Sequence, residues 1–361
     1  MKKITVLVDI YYLKAAVAGI GSYIREFEAS SSDHGSDDIN YVFSHDINKL
    51  AGNSVFLNSN NRIIRWIFQI RYLIYKQVKL PIKILFSKAD YVICPDYVAP
   101  LITFNAKRIT VLHDSLFWDQ KNNYSVLWRK YFISLINLGM NSKTQIVTTS
   151  NYSKNNLIKI FRNNRNINFV YQSFNFHKTT SSNYKTPENY LLHIGSFEKR
   201  KDLITLIKAF KLVKDDSLKL VLAGAQIING NSVVLDEIKT FIFQNKLENK
   251  VILAGYVSKA EASILYKNAS LYVFPSLDEG FGIPILEALS FSLPVICSDI
   301  DIFKEVGGDC VEYFKVGDSI SLSKKIISVL DSDKLRQNDN TKHINKFSRK
   351  NFIKGFERII L

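Results

Sequence analysis

What most constrains this chain is an alternation that runs through it twice. Short apolar runs that end in polar residues are separated by longer amphipathic stretches. ITVLVD (4–9), YVICPD (91–96), RITVLHD (108–114) and QIVTTS (145–150) read as strands in the first half. NYLLHIGS (189–196), LKLVLAG (218–224), KVILAGY (250–256), SLYVFPS (270–276) and PVICSD (294–299) do so in the second. Continuous apolar runs of this kind mark strands buried on both faces, as in parallel sheets. DLITLIKAFKLVK (202–214) and KAEASILYKNA (259–269) have the helical period. Strand and helix in alternation predict α/β architecture with right-handed crossovers, and the repetition predicts two doubly wound domains. A length of 361 residues suits two domains of about 150–180 residues each.

The boundary is expected in the polar stretch QSFNFHKTTSSNYKTPEN (172–189), with domains at 1–175 and 187–345. A weak region at 331–346 precedes a closing amphipathic helix at 346–361. SSSDHGSDD (30–38) reads as an exposed loop. Three dispersed cysteines, Cys94, Cys297 and Cys310, form neither a disulfide framework nor a thiolate metal site, which suits a reducing compartment. His34, His45, His177, His193 and His343 have no ligand spacing either, so no metal is assigned. No run reaches the roughly 18 uncharged apolar residues of a membrane-spanning helix. The N-terminus has the look of a signal peptide, but Asp9 and Lys14 interrupt it and ITVLV reads better as a first strand. A cytoplasmic protein is expected.

Charge separates the halves. Residues 1–180 hold 23 Lys+Arg against 11 Asp+Glu, and residues 181–361 hold 25 against 22. Nearly all of the net +15 lies in the first half, which points to an anionic partner there. RIIRWIFQIRYLIYKQVKLPIKILFSK (62–88) carries seven basic residues and no acid, interleaved with Trp66, Phe68, Tyr72 and Tyr75. It reads as a basic aromatic helix that breaks at Pro81. The two readings are an interfacial helix on anionic lipid and a helix on the sheet with snorkelling lysines.

The densest chemistry lies in SLDEGFGIPILEALSFSLPVICSD (276–299). A strand ends, Gly280 and Gly282 follow, and Pro284 opens a helix, where its missing N–H costs nothing. Ligands in doubly wound folds sit at the carboxyl ends of strands, and a helix start among glycines favours a phosphate. Glu279 and Glu287, eight residues apart, can face one cleft. Carboxylates are poor phosphate partners, so they suit sugar hydroxyls.

Here the sequence resembles a known family. E-x7-E within DEGFGIPILEA is similar to the signature of family 4 glycosyltransferases, retaining enzymes of the two-Rossmann GT-B fold. HIGSFEKRKDLITLIKAF (193–210) and LAGYVSKAEASILYKNASLYVFPS (253–276) resemble the second-domain motifs. GIGSYIREF (19–27), VLHDSLFW (111–118) and TTSNYSKNNLIK (148–159) resemble the first-domain ones. The resemblance implies two Rossmann-like domains facing a cleft, with the C-terminal helix returning to the N-domain.

It also implies roles. Glu279 would bind the donor-sugar hydroxyls and steady the reacting centre. Glu287 would hold the ribose hydroxyls, and the backbone of Gly280, Phe281, Gly282 and Ile283 would lie against sugar and phosphates. Arg200 and Lys201 would neutralise the diphosphate in place of a metal. Gly19 and Gly21 would form an N-domain loop at the phosphate, and His113 would face the donor sugar near the acceptor. Tyr256 fits either a place near the base or the core, and Ser150, Ser153 and Lys154 look like a helix start.

Ser196 stands where relatives often carry arginine. Asp202 puts an acid beside Arg200 and Lys201, and Ser22 replaces an arginine common in the first-domain loop. The implied reaction moves a hexosyl group, mannose slightly favoured, from a UDP- or GDP-sugar to a saccharide acceptor with retention and no cofactor. A basic first half suits a lipid-linked acceptor and peripheral contact with anionic membrane, as in O-antigen or capsule assembly; no nucleic acid is expected. The competing readings are another GT-B enzyme, such as a sugar-nucleotide epimerase, and a non-catalytic basic Rossmann protein binding lipid or nucleic acid.

Overall fold

The computed structural model describes residues 3–15, 19–50, 62–119, 125–141, 143–162, 166–174, 184–224, 232–332 and 339–361. The chain forms two compact units, Met1–Ser173 with Phe347–Leu361, and Phe174–Lys346. Each holds a six-stranded, wholly parallel sheet.

In the first unit the strands are β1 (Ile4–Val8), β2 (Ile39–Phe43), β3 (Tyr91–Cys94), β4 (Lys107–Val111), β5 (Gln145–Thr148) and β6 (Asn166–Phe169), in the order β2-β1-β3-β4-β5-β6. In the second they are β7 (Tyr190–Ile194), β8 (Lys219–Ala223), β9 (Val251–Gly255), β10 (Leu271–Phe274), β11 (Val295–Ser298) and β12 (Glu312–Phe314), in the order β12-β11-β10-β7-β8-β9. Each of the nine runs read as a strand is one. β2, β6 and β12 were not foreseen.

The second sheet has the dinucleotide-binding order 3-2-1-4-5-6 counted within its unit, and the first begins with the flavodoxin-like 2-1-3-4-5. Strand order reverses between β7 and β10 in one unit and between β1 and β3 in the other. At such a switch point the helices that follow adjacent strands leave on opposite faces, and a crevice opens at the carboxyl ends.

Three local expectations are corrected. Residues 30–38 are not a loop throughout, because the helix Ile20–His34 runs into them. Ser30 and Ser31 turn their hydroxyls back onto the Glu26 and Glu28 carbonyls, so a serine run continues the helix as far as Gly35. Nor does the chain break at Pro81. The helix Arg62–Ile74 passes through a π segment, Tyr75–Lys79, into the helix Leu80–Ser87. The wider turn accommodates a ring that would collide with a carbonyl in a straight α-helix. Finally, Phe68, Tyr72, Tyr75 and Lys76 of this stretch are buried in the unit's core.

The last helix, Arg349–Ile360, packs on Ile20–His34 within the first unit. Phe352 and Phe356 meet Phe27 edge-on, with centroids at 5.8 and 4.9 Å. Arg349 reaches Glu26 and Asp33, each at 2.9 Å. Gly355 passes Val170 so closely that a Cβ would sit 2.5 Å from its methyl.

Candidate active site

The β7/β10 switch point collects the second unit's charges. After β7 the chain turns through Gly195 and Ser196 into a short 3-10 turn, Lys199–Lys201, before the helix Leu203–Val213. Gly224 at the end of β8 allows this turn to form. A Cβ there would lie 1.7 Å from the Gly195 carbonyl oxygen, so no side chain fits. After β10 the chain descends through Ser276 and Glu279 to Gly282. With φ 105° and a Cβ that would press 3.1 Å from the Phe303 ring, Gly282 starts the helix Ile283–Ser290 in a conformation suited to glycine.

Glu279 is buried where these loops meet. One carboxylate oxygen accepts from Lys201 Nζ and from Ser276 Oγ at 3.2 Å, and the other lies 2.8 Å from Arg200 Nη1. Burial alone would raise this carboxyl, but Lys201 and Arg200 hold it below the ordinary range. Desolvation lowers Lys201 despite its partner. Arg200 is raised: desolvation works against its charge, and Glu279 and Glu198 more than offset it. Lys201 Nζ also lies 4.7 Å from the Phe274 ring centroid. Arg200 is clamped from behind, with Nε donating to Glu198 at 2.7 Å while the Ser196 hydroxyl donates to the other Glu198 oxygen. Ser196 therefore helps to orient Arg200 through Glu198.

Glu287 lies one turn into the helix, half-buried, accepting from Tyr266 Oη at 2.9 Å. Burial pushes its carboxyl up to about 7, opposed by that hydrogen bond and by Lys259. Gly280 and Ile283 are partly exposed and Phe281 is buried along the same turn. Asp202 takes the N-cap position with a left-handed backbone, φ 48°. Tyr256 is 80% exposed after the edge strand β9, which removes the core alternative for it.

Sequence reasoning missed His193 on β7. It is buried, and Nδ1 donates to the Val273 carbonyl at 3.0 Å, leaving Nε2 as a lone pair with no partner among the described residues. Burial depresses its pKa to about 4. Gly195 passes directly over this nitrogen, so that a Cβ there would lie 3.0 Å away. A histidine inside an apolar strand run carries no signal of this kind.

In the first unit Gly19 is the N-cap of Ile20–His34, with φ 53°. Gly21 is not in a loop but buried in the first helical turn, among the amides that have no intrahelical partner. His113 follows β4. Its Nε2 donates to the Pro95 carbonyl at 2.7 Å, its ring meets Tyr23 edge-on at 4.7 Å, and burial lowers its pKa to about 4. It is a neutral imidazole at neutral pH. Ser150 caps the helix Asn151–Phe161 by accepting from the Ser153 amide.

The β1/β3 switch point is filled by the protein's own charges, which sequence reasoning also missed. Lys76 Nζ bridges Asp9 after β1 and Asp96 after β3, each at 2.6 Å, with all three side chains fully buried. Tyr75 donates to Asp9 at 3.0 Å and Tyr72 to Asp96 at 2.9 Å. Burial raises Asp96 to about 6 against the pull of Lys76, whereas Lys76 holds Asp9 below its ordinary value against burial. Among the described residues no three His, Cys, Asp or Glu side chains converge as a metal-ligand set.

Residues 176–345 match the family described as glycosyl transferases group 1. The match spans the second unit and just under half of the chain. The resemblance to family 4 glycosyltransferases is thereby supported. The chain is 33% identical over 183 residues to the O-antigen chain mannosyltransferase RfbU of Salmonella typhimurium, covering 50% of each. It is 27% identical over 229 residues to an N-acetylgalactosamine-N,N'-diacetylbacillosaminyl-diphospho-undecaprenol 4-alpha-N-acetylgalactosaminyltransferase of Campylobacter jejuni, covering 60% of this chain and 58% of that one. The chain thus spans between half and two thirds of the length of these relatives. The structure of Anabaena Alr3699/HepE in complex with UDP and glucose superposes with a TM-score of 0.70 over 99% of both chains at 15% identity. The fold is GT-B, two Rossmann-like units in one chain.

Proposed function

We propose that the protein is a retaining hexosyltransferase, taking a sugar, mannose slightly favoured, from a UDP- or GDP-sugar to a saccharide on a lipid carrier. The observation that carries the reading is the Arg200–Glu279–Lys201 cluster at the β7/β10 switch point. Two cations, one buried and one partly buried, suit the negative charge that grows on a leaving diphosphate, the work a metal ion does elsewhere. The amides at the start of Ile283–Ser290, which have no intrahelical partners, suit a phosphate. Glu279, anionic and gripped from two sides, accepts hydroxyls of the transferring sugar, and Glu287 accepts those of the ribose.

As the donor binds, its phosphates take over Arg200 and Lys201, and Glu279 is released toward the sugar. The bond from the anomeric carbon to the diphosphate breaks through an oxocarbenium-like state. The acceptor hydroxyl attacks on the same face, and its proton passes to the departing phosphate. His113, a neutral imidazole beside the acceptor, orients the reacting sugar. The mannosyl and undecaprenyl-diphosphate chemistry in the relatives' names supports an O-antigen or capsule role at the inner face of the cell membrane. The basic first half supports peripheral contact with anionic lipid there.

Thermal shift with UDP, GDP and their sugar conjugates, on wild type and Lys201→Ala, tests the donor site. A ligand at 100 times its Kd adds about 2.7 kcal/mol of stability. One nucleotide series is expected to shift the wild type and not the variant. No shift with any of them would overturn the reading.

A further inference from the structure

The membrane contact proposed above has no surface yet, and the first unit supplies one. Along the helix that runs from Arg62 through the π segment to Ser87, Phe68, Tyr72, Lys76, Leu80 and Ile84 are buried, while Ile70, Ile74, Val78, Ile82 and Phe86 are exposed. Both series step by four. In a straight α-helix, at about 100° per residue, four steps of four would turn each series by about 160°, carrying it from one side of the helix to the other. The π turn at Tyr75–Lys79 takes up part of that drift, since an i→i+5 turn holds more residues than an α turn. The result is an apolar row on the solvent side, extended by Ile63, Trp66, Ile67 and Leu85.

The row has two flanks. Arg71 and Lys79 are exposed along it, and the whole of 62–88 contains no Asp or Glu. On the other side lies the loop after β3, tied to the helix by the Leu101 amide donating to Gln77 at 3.0 Å. Leu101, Ile102 and Phe104 of this loop are all more than half exposed. Phe104 has φ 51°, a left-handed backbone that a bulky residue adopts only at a cost, and here the residue stays more than half exposed.

We propose that this row and the 101–104 loop together are the face on which the protein lies on an anionic bilayer. The apolar side chains enter the headgroup–acyl boundary while Arg71 and Lys79 meet lipid phosphates. This rests on the membrane contact in the function proposed above and names the residues that make it. A second copy is disfavoured as the occupant, because a two-fold contact would set an acid-free basic row against itself.

The test is co-sedimentation of the full chain with phosphatidylcholine vesicles, with and without phosphatidylglycerol, at low salt. Wild type is expected to pellet only with the anionic vesicles. Ile74→Glu and Phe104→Glu should each weaken this at least about tenfold, whereas Phe243→Glu, 73% exposed in the other unit, should not. Thermal unfolding of each variant shows that it is folded. Failure of wild type to bind, equal binding by all variants, or a row that instead mediates dimers or captures another polypeptide would each overturn the proposal. The readout involves no nucleotide. A variant that loses vesicles but keeps its donor-induced thermal shift bears on this face alone, and a wild type without any donor shift bears on the glycosyltransferase reading alone.

Discussion

Glu279 is the residue on which the candidate chemistry turns, because in the free protein it neutralises the cations a diphosphate would need. Glu279→Gln should therefore have opposite effects on binding and turnover. Freed of one charged partner, Arg200 and Lys201 should bind the nucleoside diphosphate about tenfold more tightly, the scale of one charge-assisted hydrogen bond. Transfer should fall by about 10²–10³, as when a preorganised transition-state contact is lost. Calorimetry with the product nucleotide, beside initial rates, checks both. If affinity and rate fall together, Glu279 acts as a structural pin for the loop. Glu287 gives a second residue-level prediction. Its carboxyl is raised by burial to about 7 from an ordinary 4.5. The folded protein then holds a proton that the unfolded chain releases, so stability from this group is present at low pH. It declines as pH rises from about 4.5 to about 7. Ribose hydroxyls need the carboxylate, so donor affinity should rise over the upper part of that window. Glu287→Gln should flatten both profiles, as pH series of unfolding and of nucleotide titration would show.

At the scale of elements, the strands show why some structure was legible and some was not. Central strands such as YVIC and LYVF are buried on both faces, so each reads as an unbroken apolar run. The three that escaped, INYVF, NINF and EYF, are edge strands of their sheets. An edge strand keeps polar residues and needs only a few apolar contacts, so its sequence looks like a loop. The stretch from Arg62 to Ser87 is helical as its sequence reads, and only its continuation through Pro81 escaped. Its period of four is neither the α period nor a strand's, and the π turn helps to reconcile it with one buried side. Lys76, inside that turn, looked like one more surface cation. Its replacement by methionine should leave Asp9 and Asp96 facing each other without a counter-charge, and cost about 3–5 kcal/mol. Chemical denaturation measures this, and a pH optimum moved toward acid in the variant would identify carboxylate repulsion as the cause.

At the scale of the whole molecule, the chain leaves the first unit after Ser173 and comes back to it at Phe347. The first unit's core is therefore completed by the last fifteen residues, where Phe352, Ile353, Phe356 and Ile360 are buried beside β1, β3 and the helix Ile20–His34. Phe356→Ala should cost about 3–5 kcal/mol, at the end of the chain where truncations are usually mild. Tryptophan emission follows it, since Trp66, Trp118 and Trp128 all lie in the first unit. A loss below about 1 kcal/mol would mean that the helix is an accessory to this unit rather than part of its core.

By itself the sequence determined the alternation of strand and helix, the existence of two parallel sheets, and the loop and helix start in which Glu279, Gly282 and Glu287 stand. These follow from local patterning, because burial on both faces and a helix start among glycines leave their mark on adjacent residues. What tertiary structure alone decided are the contacts between residues far apart in the chain. Arg200 and Lys201 reach Glu279 across 79 and 78 positions, and Lys76 sits between carboxylates 67 positions before it and 20 after. Whether a lysine is a surface charge or a buried bridge depends on what the fold brings opposite it, and no periodicity in its own segment records that.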